Sequence, residues 1–301
     1  MHTGTGGDFS PPYVLKKDKS MRKKFFFIVL ILISLGIASY PFISNYLYEH
    51  QADNKITVYQ DKIKNTTKEA QEEMLRQARE YNAGLSQSQV RLTDPFAEEK
   101  RKEGISYDAL LNPNGDGMMG YIEIPCIAVN LPVFHGTAAK TLETGIGHLE
   151  GSSLPIGGNS THTVLTGHSG LNKAKLFTDL SEMQKGDLFF LHVAGENLAY
   201  EVSEINIVLP EEVNQLLVVP GEDLATLVTC TPYGVNTHRL LVTGKRTAYT
   251  KDLYDRAQKD KKNTESMWMR TYRKAMVIGI CIALSIVIVL KIIQKARKGR
   301  K

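Results

Sequence analysis

The stretch LATLVTCTPYGVNTHRLLVTGKR, from Leu224 to Arg246, decides how this chain reads. Leu224 to Thr229 is a short apolar run rich in β-formers, the pattern of a buried strand. Arg239 to Thr243 reads as a second strand, and Pro232, Gly234 and Asn236 supply turn chemistry between the two. The expectation is a long-looped hairpin that brings Cys230, at the end of one strand, next to Arg239, at the start of the other. Cross-strand neighbours lie roughly 5 Å apart. A guanidinium at that range favours the ionised form of a thiol. A lone cysteine at a strand end is ordinarily a small core residue; the facing arginine is what points to chemistry.

A second strand end upstream adds to it. In HTVLTGHSGL, Thr163 to Thr166 reads as an apolar strand that delivers His168, followed by Ser169 and Gly170. Singly, His162 and His168 read as surface or hydrogen-bonded loop histidines. Together the two strand ends bring cysteine, histidine and arginine, the parts needed for thiol-based acyl transfer.

TGHSGL with TLVTCTPYGVNTHRLLVTGKR resembles the signature of the sortases, the transpeptidases of Gram-positive cell surfaces, and is most similar to their class C, pilus-assembling branch. The likeness runs over roughly Gly120 to Arg246. It implies a mainly β chain folded as a closed eight-stranded barrel. It also implies Cys230 as nucleophile, His168 as general acid and base, and Arg239 as the group that steadies the oxyanion or the substrate. The implied reaction cleaves an LPXTG-like sorting signal between Thr and Gly through a thioester, then passes the acyl group to a lysine of the next pilin. Two alternatives stand beside it: a housekeeping sortase that joins surface proteins to cell-wall lipid II, and a catalytically silent membrane scaffold that holds pilins.

The segment LTDPFAEEKRKEG contains Asp94-Pro95-Phe96, where proline fixes its own φ and pushes Asp94 towards extended geometry. Read alone it is a linker with a turn. Class C sortases carry an Asp-Pro-aromatic lid over the active site, often with Trp in third place; here the aromatic is Phe96. The resemblance implies that Asp94 pairs with a group of the site and that Phe96 covers the nucleophile.

The periodic pattern predicts strands at 120–127, 129–134, 163–167, 187–192, 198–207, 224–229 and 239–245, with short helical connections at 176–182 and 210–216. Many short strands with Gly- and Pro-rich turns argue for a barrel. NPNGDGMMGYIE, from Asn112 to Glu123, can be laid on a calcium-loop template, but it begins with Asn and no helix pair flanks it. A glycine-rich turn into the first strand is the preferred reading. His135, His148, His162 and His168 lack the paired short spacing of a zinc site. No cofactor or metal is expected.

Both ends of the chain carry a long apolar run. Residues 25–45 follow Lys16, Lys17, Lys19, Arg22, Lys23 and Lys24; residues 274–293 follow Trp268 and Tyr272 and precede Lys295, Arg297, Lys298, Arg300 and Lys301. About 20 apolar residues span a bilayer, and flanking basic residues mark the cytoplasmic side. The expected organisation is a cytoplasmic tail (1–24), a span (25–45), a helical region with the lid at 94–96 (46–104), the barrel (105–248), a polar linker (249–273), a second span (274–293) and a basic tail (294–301). Everything between the spans is then extracytoplasmic, both termini cytoplasmic. The partners are pilins and the membrane. The net charge of +5 over 301 residues is mild and gathers in the tails, which gives no reason to expect nucleic acid. Cys281 falls in the second span, Cys126 in the first barrel strand, and no Cys126–Cys230 disulfide is expected because Cys230 serves as a thiolate.

Overall fold

The computed structural model describes residues 18–87, 92–97, 105–171, 173–259 and 267–298. The chain divides into two compact units, Met1–Ile43 and Ser44–Lys301. Most of the expected tail at 1–24, part of the expected linker at 249–273 and the end of the basic tail lie outside the described residues. Helix α1 runs Asp18–Lys64, α2 Lys68–Gln87 and α3 Ile105–Ala109. Then come β1 Met118–Ile124, β2 Val129–His135, a one-turn α4 Ala139–Leu142, β3 Ile146–His148 and β4 Thr161–Thr166. After them follow β5 Leu188–Val193, β6 Glu196–Val208, β7 Asp223–Thr231 and β8 His238–Thr247. Helices α5 Lys251–Lys259 and α6 Met267–Lys298 end the chain.

The strands close into a barrel in the order β1-β2-β3-β4-β7-β8-β6-β5, the eight-stranded architecture expected. Closure leaves no free sheet edge. Most neighbours are antiparallel, but β2–β3 and β4–β7 are parallel. The interior is filled by Ile122, Leu165, Phe177, Phe189, Leu191, Leu227 and Val242 with their neighbours. Each such side chain contributes about 1.5–3 kcal/mol by leaving water. Strand β4 is buried along its whole length. Its other face is covered by a separate apolar cluster that holds Val164, Val228, Leu216 and Leu241.

The spacing of Ile63, Ala70, Met74, Leu75, Ala78 and Tyr81 predicts an apolar stripe on the amino-terminal helices, and all but Ala70, which is exposed, turn towards the barrel. Leu75 and Ala78 pack against Tyr107, Leu111, Met119 and Val193, while Ile56, Tyr59 and Ile63 pack against Met118 and Phe134. Polar pins fix the register: the Tyr59 hydroxyl donates to the Met119 carbonyl and accepts from the Ala194 amide, both at 2.9 Å.

Four readings need correction. Strand β1 is Met118–Ile124 rather than 120–127, and Cys126 lies beyond it in a 3-10 turn, Pro125–Ile127. Pro125 has no amide proton to give the ladder, so the strand stops before it. Strand β3 has no counterpart in the periodic reading, because three residues carry too little pattern. His162 is neither a surface nor a loop residue; it is buried within β4. Its Nδ1 donates to the Leu217 carbonyl at 2.8 Å and its Nε2 accepts from Thr226 Oγ1 at 2.7 Å, which suits a neutral ring. Burial holds its pKa below the usual histidine value, in keeping with that.

The Asn112–Glu123 segment is a turn feeding β1. Asn112 Oδ1 accepts from the Gly117 amide and Asp116 Oδ1 from the Met118 amide, each at 3.0 Å. Glu123, at the last calcium-loop position, instead accepts from the Tyr254 hydroxyl at 2.7 Å. That bond helps dock α5, which lies within the segment expected as a linker, and Ala257, Leu253 and Tyr254 add apolar contact with Phe190. Among the described residues two helices are long and apolar enough to cross a membrane, over Ile28–Lys64 and Met269–Val289. Apolar side chains such as Ile31, Ile37, Ile278 and Ile288 stand exposed along them.

Candidate active site

Strands β7 and β8 pair antiparallel with Cys230 opposite Arg239, the pairing that the hairpin reading predicts. The connecting loop starts with a cis Thr231-Pro232 peptide, and the Pro232 carbonyl accepts from the amides of Val235 and Asn236, both at 3.0 Å. Asn236, with φ of 61°, occupies the left-handed region that asparagine tolerates well.

The histidine arrives by a different route. Strands β4 and β7 are parallel, with Thr166 opposite Val228, so each strand runs two residues further to reach His168 and Cys230 at the same end of the barrel. Side-chain and backbone bonds tie these extensions together. The Gly167 amide donates to the Val228 carbonyl at 3.0 Å, and Thr229 Oγ1 donates to the Gly167 carbonyl at 2.7 Å. Ser169 Oγ donates to the Cys230 carbonyl at 2.6 Å. Gly167 is required here: a Cβ would lie 2.7 Å from Ile146 Cδ1 and 2.8 Å from the Phe177 ring. Any side chain would push the strand, and His168 with it, off this packing.

The Asp94-Pro95-Phe96 segment sits on this end of the barrel. Asp94 takes Arg239 in a two-point grip, Nε to Oδ1 at 2.8 Å and Nη2 to Oδ2 at 2.5 Å. The remaining nitrogen, Nη1, donates to the carbonyls of Asn236 and His238 at 3.2 and 3.1 Å. The fork is therefore held by Asp94 on one side and by its own hairpin on the other. The Arg239 side chain is 11% exposed and that of Asp94 15%, so solvent screens the pair only partly. Pro95 is buried. The Phe96 ring lies 5.7 Å from the His168 ring and 5.0 Å from the guanidinium carbon of Arg239, and packs on the Val164–Leu241 cluster. It thus rests on the two groups that flank Cys230.

Electrostatics follow from this enclosure. Burial pushes the Cys230 thiol above its ordinary pKa; Arg239 opposes the rise and Asp94 adds to it. Burial also pulls the His168 imidazole down, with Lys173 adding to the fall and Glu143 opposing it. Both shifts favour the neutral thiol and the neutral imidazole. Asp94 occupies the Nε–Nη2 edge of the guanidinium. Ser169, Thr229, Glu143 and Lys173 escaped the sequence reading; a TGHSG loop next to a Thr-Cys strand end holds the first two, but only the parallel pairing reveals their bonds. Among the described residues no group of three or more His, Cys, Asp or Glu side chains is placed to hold a metal ion.

A barrel of this strand order, with cysteine, histidine and arginine at three adjacent strand ends, defines a thiol acyl-transfer enzyme, and known proteins say which. Residues 122–247 match the family described as Sortase domain. A sortase D of Bacillus subtilis is 30% identical over 141 residues, 46% of this chain and 68% of that protein. Sortase C-1 of Actinomyces oris is 46% identical, with a TM-score of 0.57, over 60% of this chain and 99% of that one. Sortase C of Streptococcus pneumoniae, whose structure is described as giving insight into pilin substrate specificity, is 42% identical, with a TM-score of 0.60, over 66% of this chain and 98% of that one. The chain belongs to the sortase family of cysteine transpeptidases. Within it, these solved neighbours group the chain with class C.

Proposed function

We propose that this chain is a membrane-anchored pilin polymerase in which Cys230, His168 and Arg239 carry the chemistry and Asp94, Pro95 and Phe96 form its lid. The observation that supports it most is the two-point Asp94–Arg239 grip laid across the cysteine–histidine end of the barrel. A carboxylate on the cation opposite Cys230 is a reversible plug for an anion-stabilising group. The pilin specificity described for the pneumococcal relative supports the choice of substrate.

In this reading the lid first leaves Arg239. His168 takes the thiol proton as Sγ attacks the carbonyl carbon of the threonyl-glycyl bond. Arg239 stabilises the oxyanion. The tetrahedral intermediate collapses with cleavage of the C–N bond, and the imidazolium returns its proton to the departing amine. A lysine amine of the next pilin then attacks the thioester and gives its proton to His168, and Sγ leaves as a thiolate and is reprotonated. The product is an isopeptide bond. The test is to incubate the protein with a sorting-signal peptide and with pilin, seeking a thioester mass on Cys230 and mapping the product bond by mass spectrometry. A product joined to cell-wall amine rather than to a pilin lysine would reassign the acceptor; no thioester at all would leave a scaffold.

The lid carries its own expected result. Asp94→Ala/Phe96→Ala speeds alkylation of Cys230 by roughly 30- to 150-fold, since a two-point ion pair and one ring hold the segment with about 2–3 kcal/mol. The pH dependence has a definite sign. The thiol pKa is raised in the closed state, first by burial and then by Asp94. Closure is therefore favoured below the open-state thiol pKa and weakens as pH rises through the closed-state value. In the double variant the alkylation profile moves to lower pH. Equal rates and equal profiles would make the segment a linker.

Topology is tested in whole cells with an impermeant thiol reagent, on single engineered cysteines in a background without Cys126, Cys230 and Cys281. A cysteine at Asn112 reacts and one at Lys301 does not. The reverse pattern would invert the proposed orientation.

A further inference from the structure

Across the active-site end of the barrel the strands run β3, β4, β7, β8. His168 and Cys230 extend β4 and β7, and Arg239 opens β8. The fourth strand at this end is β3, preceded by the short helix α4. Strands β3 and β4 are antiparallel, with Gly147 opposite Thr166. Continuing that register by two residues places Gly145 opposite His168, and Glu143 closes the short helix α4 just before it. The order across the mouth is therefore Glu143, His168, Cys230, Arg239, with a carboxylate on the histidine side and a guanidinium on the cysteine side.

Glu143 also faces away from His168 into a cavity of about 260 Å³ whose walls include Thr144, Lys173 and, from α1, Tyr48, Gln51 and Lys55, but not His168. Its Oε2 accepts from Lys173 Nζ at 2.8 Å. Lys55 is engaged elsewhere, with its ammonium 5.0 Å from the centre of the Phe134 ring. Thus, among the described residues, the group hydrogen-bonded to the Glu143 carboxylate is a primary alkylammonium at the end of a four-carbon chain. That is the chemistry of the acceptor in the proposed reaction, and the seat lies on the side of His168 away from the acyl group on Cys230.

We propose that Glu143 receives the acceptor ammonium beside His168, with Lys173 as an internal occupant that the incoming amine displaces. The inference rests on the amine-acceptor reading above and deepens it. An amine at neutral pH arrives charged: it must shed one proton to solvent before it can attack, and it passes a second to His168 as it attacks the thioester. A carboxylate next to the imidazole raises the local concentration of the cation at that point. Glu143 also opposes the fall in the imidazole pKa, which suits a base. Glu143 is a positioning residue: it concentrates the amine, while His168 moves the proton. The Glu143 and Lys173 side chains are 56% and 40% exposed, so the effect is modest.

The experiment uses the full chain in detergent with a sorting-signal peptide as donor and two nucleophiles, Nα-acetyl-lysine amide, which is cationic at neutral pH, and hydroxylamine, which is not. Glu143→Gln raises KM for the lysine amide about fivefold at constant kcat, while KM for hydroxylamine moves by less than about twofold. Glu143→Asp restores most of the loss. Lys173→Ala, which removes the internal occupant, lowers KM for the lysine amide and not that for hydroxylamine. Equal shifts for both nucleophiles, or none, in Glu143→Gln would overturn the role of Glu143 while the acceptor reading stands. Failure of the wild type to acylate the lysine amide at any concentration, with thioester formed and hydroxylamine consumed, would overturn the acceptor reading and this inference with it.

Discussion

Cys230→Ala abolishes thioester formation and lowers peptide turnover on the order of a millionfold, the scale on which an enzyme loses rate when its covalent nucleophile goes. The size of the effect follows from the absence of a substitute. His168 and Arg239 remain, but in the proposed route they act only on a bond that Sγ has attacked. The fold survives, because the thiol is half-buried at a strand end and its loss costs about 1 kcal/mol or less. The ladder bonds of β7 and the Ser169 hydroxyl reach the backbone of residue 230, not its side chain. Cys126 is the control. It sits in the turn after β1, beside Asp187 and Ala257, and Cys126→Ala leaves activity within about twofold. Two measurements decide the matter: the intact mass of the protein after exposure to donor peptide, and thermal unfolding of both variants. A folded Cys126→Ala protein without activity, alongside an active Cys230→Ala protein, would mean that the nucleophile is the other thiol.

Arg239→Lys lowers turnover about 100- to 1000-fold, the usual loss when one oxyanion donor is removed. The geometry explains why a second cation does not serve. Nη1 is braced on the carbonyls of Asn236 and His238, which leaves Nε and Nη2 presented as a fixed pair, the pair that Asp94 now fills. An ammonium has no planar fork: braced on the hairpin it presents nothing, and presented to substrate it is unbraced. The same change weakens the hold on Asp94, so the thiol is alkylated faster even as turnover falls. Two readouts moving in opposite directions separate this role from simple unfolding, which would expose the thiol but also lower the melting temperature. Near-normal turnover in Arg239→Lys would remove Arg239 from the chemistry.

How far these features are legible in the sequence depends on how local they are. The Cys230–Arg239 pair is legible because both residues belong to one hairpin, and β-formers around a Pro, Gly and Asn turn fix it within about twenty residues. The proximity of His168 is not local. It depends on parallel pairing between β4 and β7, which leaves no periodic trace; the sequence offers His168 only as a second strand-end residue, and the sortase resemblance is what joins it to Cys230. The Asp94–Arg239 contact is more distant still and came the same way. Strand β3 is invisible to pattern reading, yet without it Glu143 has no relation to His168. Cys126 was read into a strand because the apolar run continues past Ile124; the missing amide of Pro125 overrides hydrophobicity there.

The parallel pairing of β4 with β7 also bears on when the protein becomes chemically competent. It joins segments about sixty residues apart in the chain, with β5 and β6 between them. Such long-range contacts form late, since the entropy of closing the loop comes due before the contacts repay it. Until that ladder forms, the strand ends that carry His168 and Cys230 are not side by side, and until the segment at Asp94 docks, Arg239 has no carboxylate in its grip. In the proposed mechanism a chain still folding therefore bears an ordinary thiol, and closure of the barrel is the step that gives Cys230 its partners.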